Sequence, residues 1–309
     1  MAKMDVGRFA YFDGDFRPIE DAKVSILTHA FNYGTALFEG IRGYYSAAED
    51  KVLIFRLKEH IDRITRNCSI MCMEIKETPA DIERICCELV KRNGFKEDVY
   101  LRPIIYKSEH SLGPKLKGIE SKFCCWNIKL GDYVNVETGL DVCVSSWRRV
   151  SDNAIPARAK TTGSYVNSAL ARSEAELAGF DESIVLREDG TVSEGSAMNI
   201  FIVKDGKLIT PPENGDLLVG ITRNSVIELA GEELGMLVVE RPIARTELYV
   251  CDELFFTGTG AQVAPVRSVD RRLIGNGKPG PVSKKLQDIY FEVVQGKTAK
   301  YHRWCTPVE

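Results

Sequence analysis

The residue best suited to covalent chemistry sits in one short run. Lys160 lies in Ile155-Pro156-Ala157-Arg158-Ala159-Lys160-Thr161-Thr162-Gly163, a non-periodic stretch of small residues followed by a helical pattern. A lone lysine is usually a solvated surface charge. Among small residues ahead of a helix its amine can instead approach a flat carbonyl cofactor and form a Schiff base, the chemistry for which a desolvated lysine is suited. That reading requires an acid for a ring nitrogen and donors for a phosphate. Glu194, in Val192-Ser193-Glu194-Gly195, stands beside a glycine that lets a ligand come close, and it reads equally as a turn carboxylate. Gly220-Ile221-Thr222 opens a helical pattern whose first N–H groups and dipole can hold a phosphate, or simply be capped. Phe256-Thr257-Gly258-Thr259-Gly260 ends a strand pattern in small residues, which suits either backbone donors for a ligand or a plain tight turn. Arg63 lies off the apolar stripe of its helix, where an arginine binds a phosphate, forms a salt bridge or is solvated.

Other chemistries lack their parts. Gly275-Asn276-Gly277-Lys278-Pro279-Gly280 matches G-x-G-x-x-G, but the preceding Asp270-Arg271-Arg272 is too polar for a buried parallel strand, and only 29 residues follow Gly280. A Gly/Pro turn is expected there. The four histidines (His29, His60, His110, His302) are scattered, so no metal is expected. Nine cysteines at unpatterned spacings form neither a disulfide framework nor a zinc set, and core thiols in a reducing compartment are expected.

The elements that must position these groups come from periodicity. Arg8 to Phe12 and Val24 to Leu27 look like strands, with Asp13-Gly14 as a turn after the first. Leu57, Ile61, Ile64, Cys68 and Met71 share one helical stripe, as do Ile82, Ile85, Cys86, Leu89 and Val90 in a helix that Pro79 opens and Asn93-Gly94 closes. Val99 to Tyr106 and Lys122 to Ile128 read as buried strands. A turn-rich passage from Leu130 to Gly139 suggests a domain boundary, with residues 1–133 as a small domain and 134–309 as a larger one carrying Lys160. Beyond it, Leu140 to Ser146 reads as a strand, Ser164 caps a helix to Ala178, and Asp189-Gly190 makes a two-residue hairpin between Ser183 to Arg187 and Thr191 to Ser193. A helix from Thr222 to Leu234, strands near Leu237 to Val239, Glu253 to Thr257 and Val263 to Val269, and a helix from Val282 to Val294 complete an α+β pattern.

Charge excludes some partners. With 41 Lys plus Arg against 44 Asp plus Glu, the net charge of -3 gives no bulk reason to expect nucleic acid or an anionic membrane. No run of 18 apolar residues is present and the first 30 residues alternate apolar with charged ones, so neither a membrane span nor a signal peptide is expected, and a cytoplasmic location is.

Taken in chain order, Lys160, Glu194 in Ser-Glu-Gly, Gly220-Ile221-Thr222-Arg223 and Thr257-Gly258-Thr259-Gly260 resemble the class IV, fold type IV, pyridoxal-phosphate enzymes. The run Thr28-His29-Ala30-Phe31-Asn32-Tyr33-Gly34-Thr35-Ala36-Leu37-Phe38-Glu39-Gly40-Ile41-Arg42 closely resembles branched-chain amino-acid aminotransferases, and the match covers roughly residues 8 to 295. The resemblance implies an α+β, two-domain fold like that of D-amino-acid aminotransferase, with a small N-terminal α/β domain and a larger β-rich C-terminal one. It implies pyridoxal 5'-phosphate as cofactor, and transamination between leucine, isoleucine or valine and 2-oxoglutarate in branched-chain amino-acid biosynthesis.

Site roles follow from the same resemblance. Lys160 would be the Schiff-base lysine and proton shuttle, Glu194 would pair with the pyridinium nitrogen, and Tyr165 would hydrogen-bond the ring oxygen. Arg63, Gly220, Ile221, Thr222 and Thr259 would hold the phosphate. Tyr33, Phe38, Leu112 and Tyr133 would wall the substrate pocket, with Gly40, Arg42 and Leu130 beside it. Arg102 would meet the side-chain carboxylate of glutamate, and Tyr100 with the Thr259-Gly260 backbone would meet the α-carboxylate. Where several bacterial members have a tryptophan just before the Gly131 turn, this chain has Leu130. The resemblance also implies a homodimer or higher oligomer, with residues near Leu112 completing a neighbouring pocket. D-amino-acid transaminases, (R)-amine transaminases and aminodeoxychorismate lyase share the cofactor residues and differ around Tyr33 and Arg102. A nicotinamide-dependent oxidoreductase using the Gly275 loop and a cofactor-binding module are the readings from other classes.

Overall fold

Local turn chemistry starts the first unit. The computed structural model describes residues 5–131 and 138–309, in two units of which the first comprises the chain up to Gly131, Ala159–Gly163 and Glu292–Glu309. Asp13 and Gly14, both at positive φ, fold β1 (Phe9–Phe12) onto β2 (Asp15–Pro18). Helix α1 (His29–Tyr33) ends at the left-handed Gly34 and leads through β3 (Ala36–Phe38), β4 (Ile41–Ser46) and β5 (Lys51–Phe55) to helices α2 (Leu57–Ile70) and α3 (Pro79–Asn93). Strands β6 (Val99–Lys107) and β7 (Ser121–Lys129) follow. With a C-terminal strand at Cys305–Pro307 they form one antiparallel sheet in the order C-terminal strand, β5, β4, β6, β7, β1, β2, and β3 also pairs with β6.

The alternation of β6 and β7 gives this sheet two different faces. Val99, Leu101, Ile105, Phe123 and Cys125 are buried with Leu57, Ile61, Ile64, Ile82, Ile85, Cys86 and Leu89 of α2 and α3. Tyr100, Arg102, Ile104, Cys124 and Trp126 occupy the intervening positions and so line the opposite face. Helix α3 has the ends its sequence encodes. Thr78 and Asp81 form a capping box ahead of it, Pro79 starts it, and Gly94 at φ 63° ends it.

In the second unit β8 (Leu140–Arg148), α4 (Tyr165–Leu177), β9 (Glu182–Leu186), β10 (Val192–Gly195), β11 (Asn199–Lys204) and β12 (Lys207–Thr210) precede α5 (Ile221–Leu234). Then come β13 (Val238–Glu240), β14 (Glu253–Gly258), β15 (Gln262–Val269), β16 (Arg272–Leu273) and α6 (Pro281–Val294), of which the residues up to Phe291 belong to this unit. The sheet is mixed, in the order β10, β9, β8, β15, β14, β11, β12, β13, with β16 on β15. Val142, Ile184, Ile200, Ile202, Phe256 and Ala264 form its core.

Three expectations meet a different outcome. Val24 to Leu27 is not a strand. Thr28 N–H donates to the Ser25 carbonyl at 3.0 Å, so the chain turns, and Val24, Ile26 and Leu27 are exposed with no pairing strand among the described residues. Ser164 stands before α4 in right-handed helical geometry instead of the extended backbone of a capping serine. Lys160 groups with the first unit, not with the C-terminal half, because its segment bonds to β3. Phe38 N–H donates to the Lys160 carbonyl at 3.0 Å, Thr162 N–H to Ala36 at 2.8 Å, and Gly163 N–H to Gly34 at 3.0 Å. The Gly275 to Gly280 loop is a turn whose following helix already has an anion. The Glu253 carboxylate accepts from Val282 N–H at 2.9 Å and Ser283 N–H at 2.8 Å, and a Cβ on Gly280 would fall 2.0 Å from its Cδ.

Candidate active site

In the first unit, the break between β3 and β4 places Glu39 and Gly40 against β6. Glu39 N–H donates to the Pro103 carbonyl at 2.9 Å, and its buried carboxylate accepts from Arg63 Nε and Nη2, each at 2.7 Å, and from His60 Nδ1 at 2.8 Å. Burial by itself would raise the pKa of Glu39, but the Arg63 charge and the hydrogen bonds from His60 and Arg63 outweigh it and hold the carboxyl far below the usual range. Burial is also the largest influence on His60, lowering its pKa against the upward pull of Glu39. Because a carboxylate only accepts, His60 Nδ1 carries the proton and the ring is neutral near pH 7. Gly40 is required by Tyr100, whose hydroxyl would lie 2.1 Å from a Cβ there.

Arg102 lies on the sheet face opposite the helices. Its Nη2 donates to the Tyr100 hydroxyl at 2.7 Å, and its guanidinium carbon is 4.6 Å from the Phe38 ring centre, 5.2 Å from Tyr100 and 5.6 Å from Trp126. The half-buried Lys160 amine is 5.0 Å from the Phe38 ring centre. Arg42 is buried and anchors the end of β7 by donating to the carbonyls of Leu130 at 3.2 Å and Gly131 at 3.0 Å, near Asp98. Tyr33 accepts from Gly113 N–H at 3.1 Å, and His29 bridges Thr35 and the Gly113 carbonyl, so α1 pins the loop that carries Leu112, itself 92% exposed.

In the second unit, the Asp189-Gly190 hairpin and a bulge between Val192 and Glu194 bring the buried Glu194 carboxylate to Arg149 Nη2 at 2.7 Å and Asn199 Nδ2 at 3.2 Å. Arg149 also reaches the Asp216 carbonyl, and Asn199 donates to the Leu218 carbonyl at 2.8 Å. These contacts join the carboxylate to the turn that starts α5. Gly220 caps that helix in extended geometry, and a Cβ on it would fall 2.0 Å from Asn199 Oδ1. Thr222 is buried in the first turn, and Thr257, opposite Asn199 on β14, has a buried hydroxyl with no hydrogen-bond partner among the described residues. A paired carboxylate, a helix N-terminus and an unsatisfied hydroxyl suit an anionic ligand carrying a basic ring nitrogen.

The family model for amino-transferase class IV matches residues 36–269. The chain belongs to this family. It is 48% identical over 300 residues to a probable branched-chain-amino-acid aminotransferase of Aquifex aeolicus, covering 97% of this chain and 96% of that one. It is similar in structure to the branched-chain aminotransferase of Thermoproteus uzoniensis with norvaline, at TM-score 0.94 and 40% identity over 98% of this chain and 100% of that one. The branched-chain amino acid aminotransferase from Thermobaculum terrenum in its PLP-form gives TM-score 0.94 and 36% identity over 99% of each chain.

For a class IV aminotransferase, the expected positions divide between the units. Arg63, Tyr33, Phe38, Gly40, Arg42, Tyr100, Arg102, Leu112, Leu130 and Lys160 are in the first, and Tyr165, Glu194, Gly220, Ile221, Thr222, Thr259 and Gly260 in the second. The first set gathers Phe38, Tyr100 and Arg102 around one another and Lys160 over Phe38, while Tyr33, at the end of α1, holds the β6–β7 loop that carries Leu112. Tyr165 is the first residue of α4, and Thr259 and Gly260 form the turn after β14. Tyr133 lies outside the described residues. Sequence reasoning passes over Glu39, His60, Arg149, Asn199 and Trp126. Glu39 lies inside the Thr28 to Arg42 run, whereas the others meet their partners only through the fold.

Proposed function

We propose that this chain is a pyridoxal-phosphate-dependent branched-chain-amino-acid aminotransferase, moving an amino group between leucine, isoleucine or valine and 2-oxoglutarate to give branched 2-keto acids and L-glutamate. The observation that carries the substrate reading is the Arg102 guanidinium set among the Phe38, Tyr100 and Trp126 rings, on the unit that also presents the Lys160 amine over Phe38. One surface thus offers apolar area for a branched side chain and a cation for a dicarboxylate. Pyridoxal phosphate, when bound, supplies an aldehyde that condenses with amines and a ring that accepts the electrons released at Cα.

The chain's residues do the rest. The Lys160 amine would hold the cofactor and move the proton at Cα. Glu194, paired with Arg149, presents a carboxylate to the ring nitrogen, and Tyr165 donates to the ring oxygen. Arg63, Gly220, Ile221, Thr222 and Thr259 hold the phosphate; two of the three Arg63 nitrogens are committed to Glu39, which orients the guanidinium. Tyr100, Thr259 and Gly260 take the α-carboxylate and Arg102 the distal one. Tyr33, Phe38, Gly40, Leu112, Leu130 and Tyr133 bound the pocket, and Arg42 holds the Leu130-Gly131 turn. No helix among the described residues is long and apolar enough to cross a membrane. All nine cysteines are free thiols, which supports a cytoplasmic location. Exposed Ile26, Leu27, Phe31 and Leu112 in the first unit support a homodimer or higher oligomer.

Borohydride reduction and peptide mapping should place the phosphopyridoxyl group on Lys160, and Lys160→Ala should nearly abolish transamination. In separate half-reactions L-leucine and L-glutamate should both react while D-amino acids and (R)-amines do not. Label on another lysine would refute the Lys160 assignment, and preference for a D-amino acid would refute the substrate reading.

A further inference from the structure

Arg102 differs from the other buried or half-buried arginines of the candidate site. Arg42 lies near Asp98, Arg63 is gripped by Glu39 and Arg149 by Glu194. No acidic side chain among the described residues pairs with Arg102; aromatic faces and the Tyr100 hydroxyl hold it instead, and its buried Nε has no hydrogen-bond partner. A cation kept this way retains its charge for an anionic ligand group, while the rings restrict where its planar fork points. Phe38 and Tyr100 are already pocket residues. Trp126 is not, yet β6 and β7 pair Arg102 directly with Trp126, so the two side chains leave the sheet side by side on the same face. It stands four residues before Leu130, and an even spacing along the strand keeps positions 126 and 128 on that face.

We propose that Trp126 is a specificity-determining positioning residue, whose indole holds the Arg102 guanidinium in place for the distal carboxylate of the dicarboxylate substrate. The proposal rests on the reading of Arg102 given above and adds the residue that aims it. An apolar side chain makes no use of the fork, so the effect of Trp126 is confined to glutamate and 2-oxoglutarate.

The test uses the holoenzyme and separate half-reactions with glutamate, 2-oxoglutarate and leucine. Trp126→Leu should raise KM for the two dicarboxylates about 2- to 30-fold, the span of one cation–π contact, with kcat and the leucine parameters nearly unchanged. Trp126→Phe, which keeps an aromatic face, should recover most of the loss and serves if the leucine variant does not fold. Binding of unreactive glutarate should weaken in parallel, while 4-methylvaleric acid should bind as before. Equal changes for leucine and glutamate, or no change for either, would overturn the proposal. Arg102→Met separates the two levels. An equal loss for both substrates there removes the reading of Arg102 itself, whereas a glutamate-selective loss with unselective Trp126 variants removes only the role of Trp126.

Discussion

Glu39→Gln tests the buried charge cluster of the first unit. The carboxylate has three donors within 2.8 Å, two from Arg63 and one from His60, and no exposure to solvent. Glutamine keeps the shape but replaces one acceptor oxygen with an NH2 that must face a donor, and it removes the counter-charge of Arg63, whose side chain is only 11% exposed. Removing one partner of a buried pair costs about 3–5 kcal/mol. With a urea slope of about 3 kcal/mol/M, the unfolding midpoint of the cofactor-free protein should fall by about 1 M or more. Urea titration followed by tryptophan fluorescence reads this. The pH dependence has a defined sign. The folded-state pKa of Glu39 is depressed, so its stabilisation is complete above the ordinary carboxyl value of 4.5 and is lost as pH falls below it. His60 is depressed below 6.5, so the unfolded chain takes up that proton first and stability already declines below pH 6.5. Glu39→Gln should remove the lower loss and keep the upper one. Unchanged midpoints at pH 7.5, or parallel curves for both proteins below pH 4.5, would refute the assignment of a working ion pair.

Two further outcomes follow from the second unit. Glu194→Gln should retain cofactor but slow proton abstraction by about 10²-fold or more in stopped-flow half-reactions, and unchanged rates would remove Glu194 from the chemistry. Gly280→Ala should displace the Glu253 carboxylate from the first turn of α6, because the new Cβ falls 2.0 Å from its Cδ. A loss of about 1–3 kcal/mol, with faster amide exchange at Val282 and Ser283, should be seen; protection equal to the wild type would show that the loop relaxes.

The legible parts of this protein are those whose physics is local. The ends of α3 are written in Pro79 and Asn93-Gly94, the β9–β10 hairpin in Asp189-Gly190, and the helix faces in the stripe of Leu57, Ile61 and Ile64, because caps, positive-φ turns and periodicity act over a few residues. The apolar Val24 to Leu27 run misleads for the same reason, since apolar composition gives a strand only when an edge is available to pair with. The Lys160 segment shows the reverse: nothing near it in sequence reveals that it is bonded to β3, more than 120 residues earlier.

Sequence alone determined the reactive residue types, the order in which they occur and, through resemblance, the family. Only the tertiary structure decided their electrostatic setting: Glu39 between Arg63 and His60, Glu194 between Arg149 and Asn199, and Arg102 among the Phe38, Tyr100 and Trp126 rings. The reason is that such pairings depend on strand register and on which groups burial removes from water, and both are properties of segments far apart in the chain.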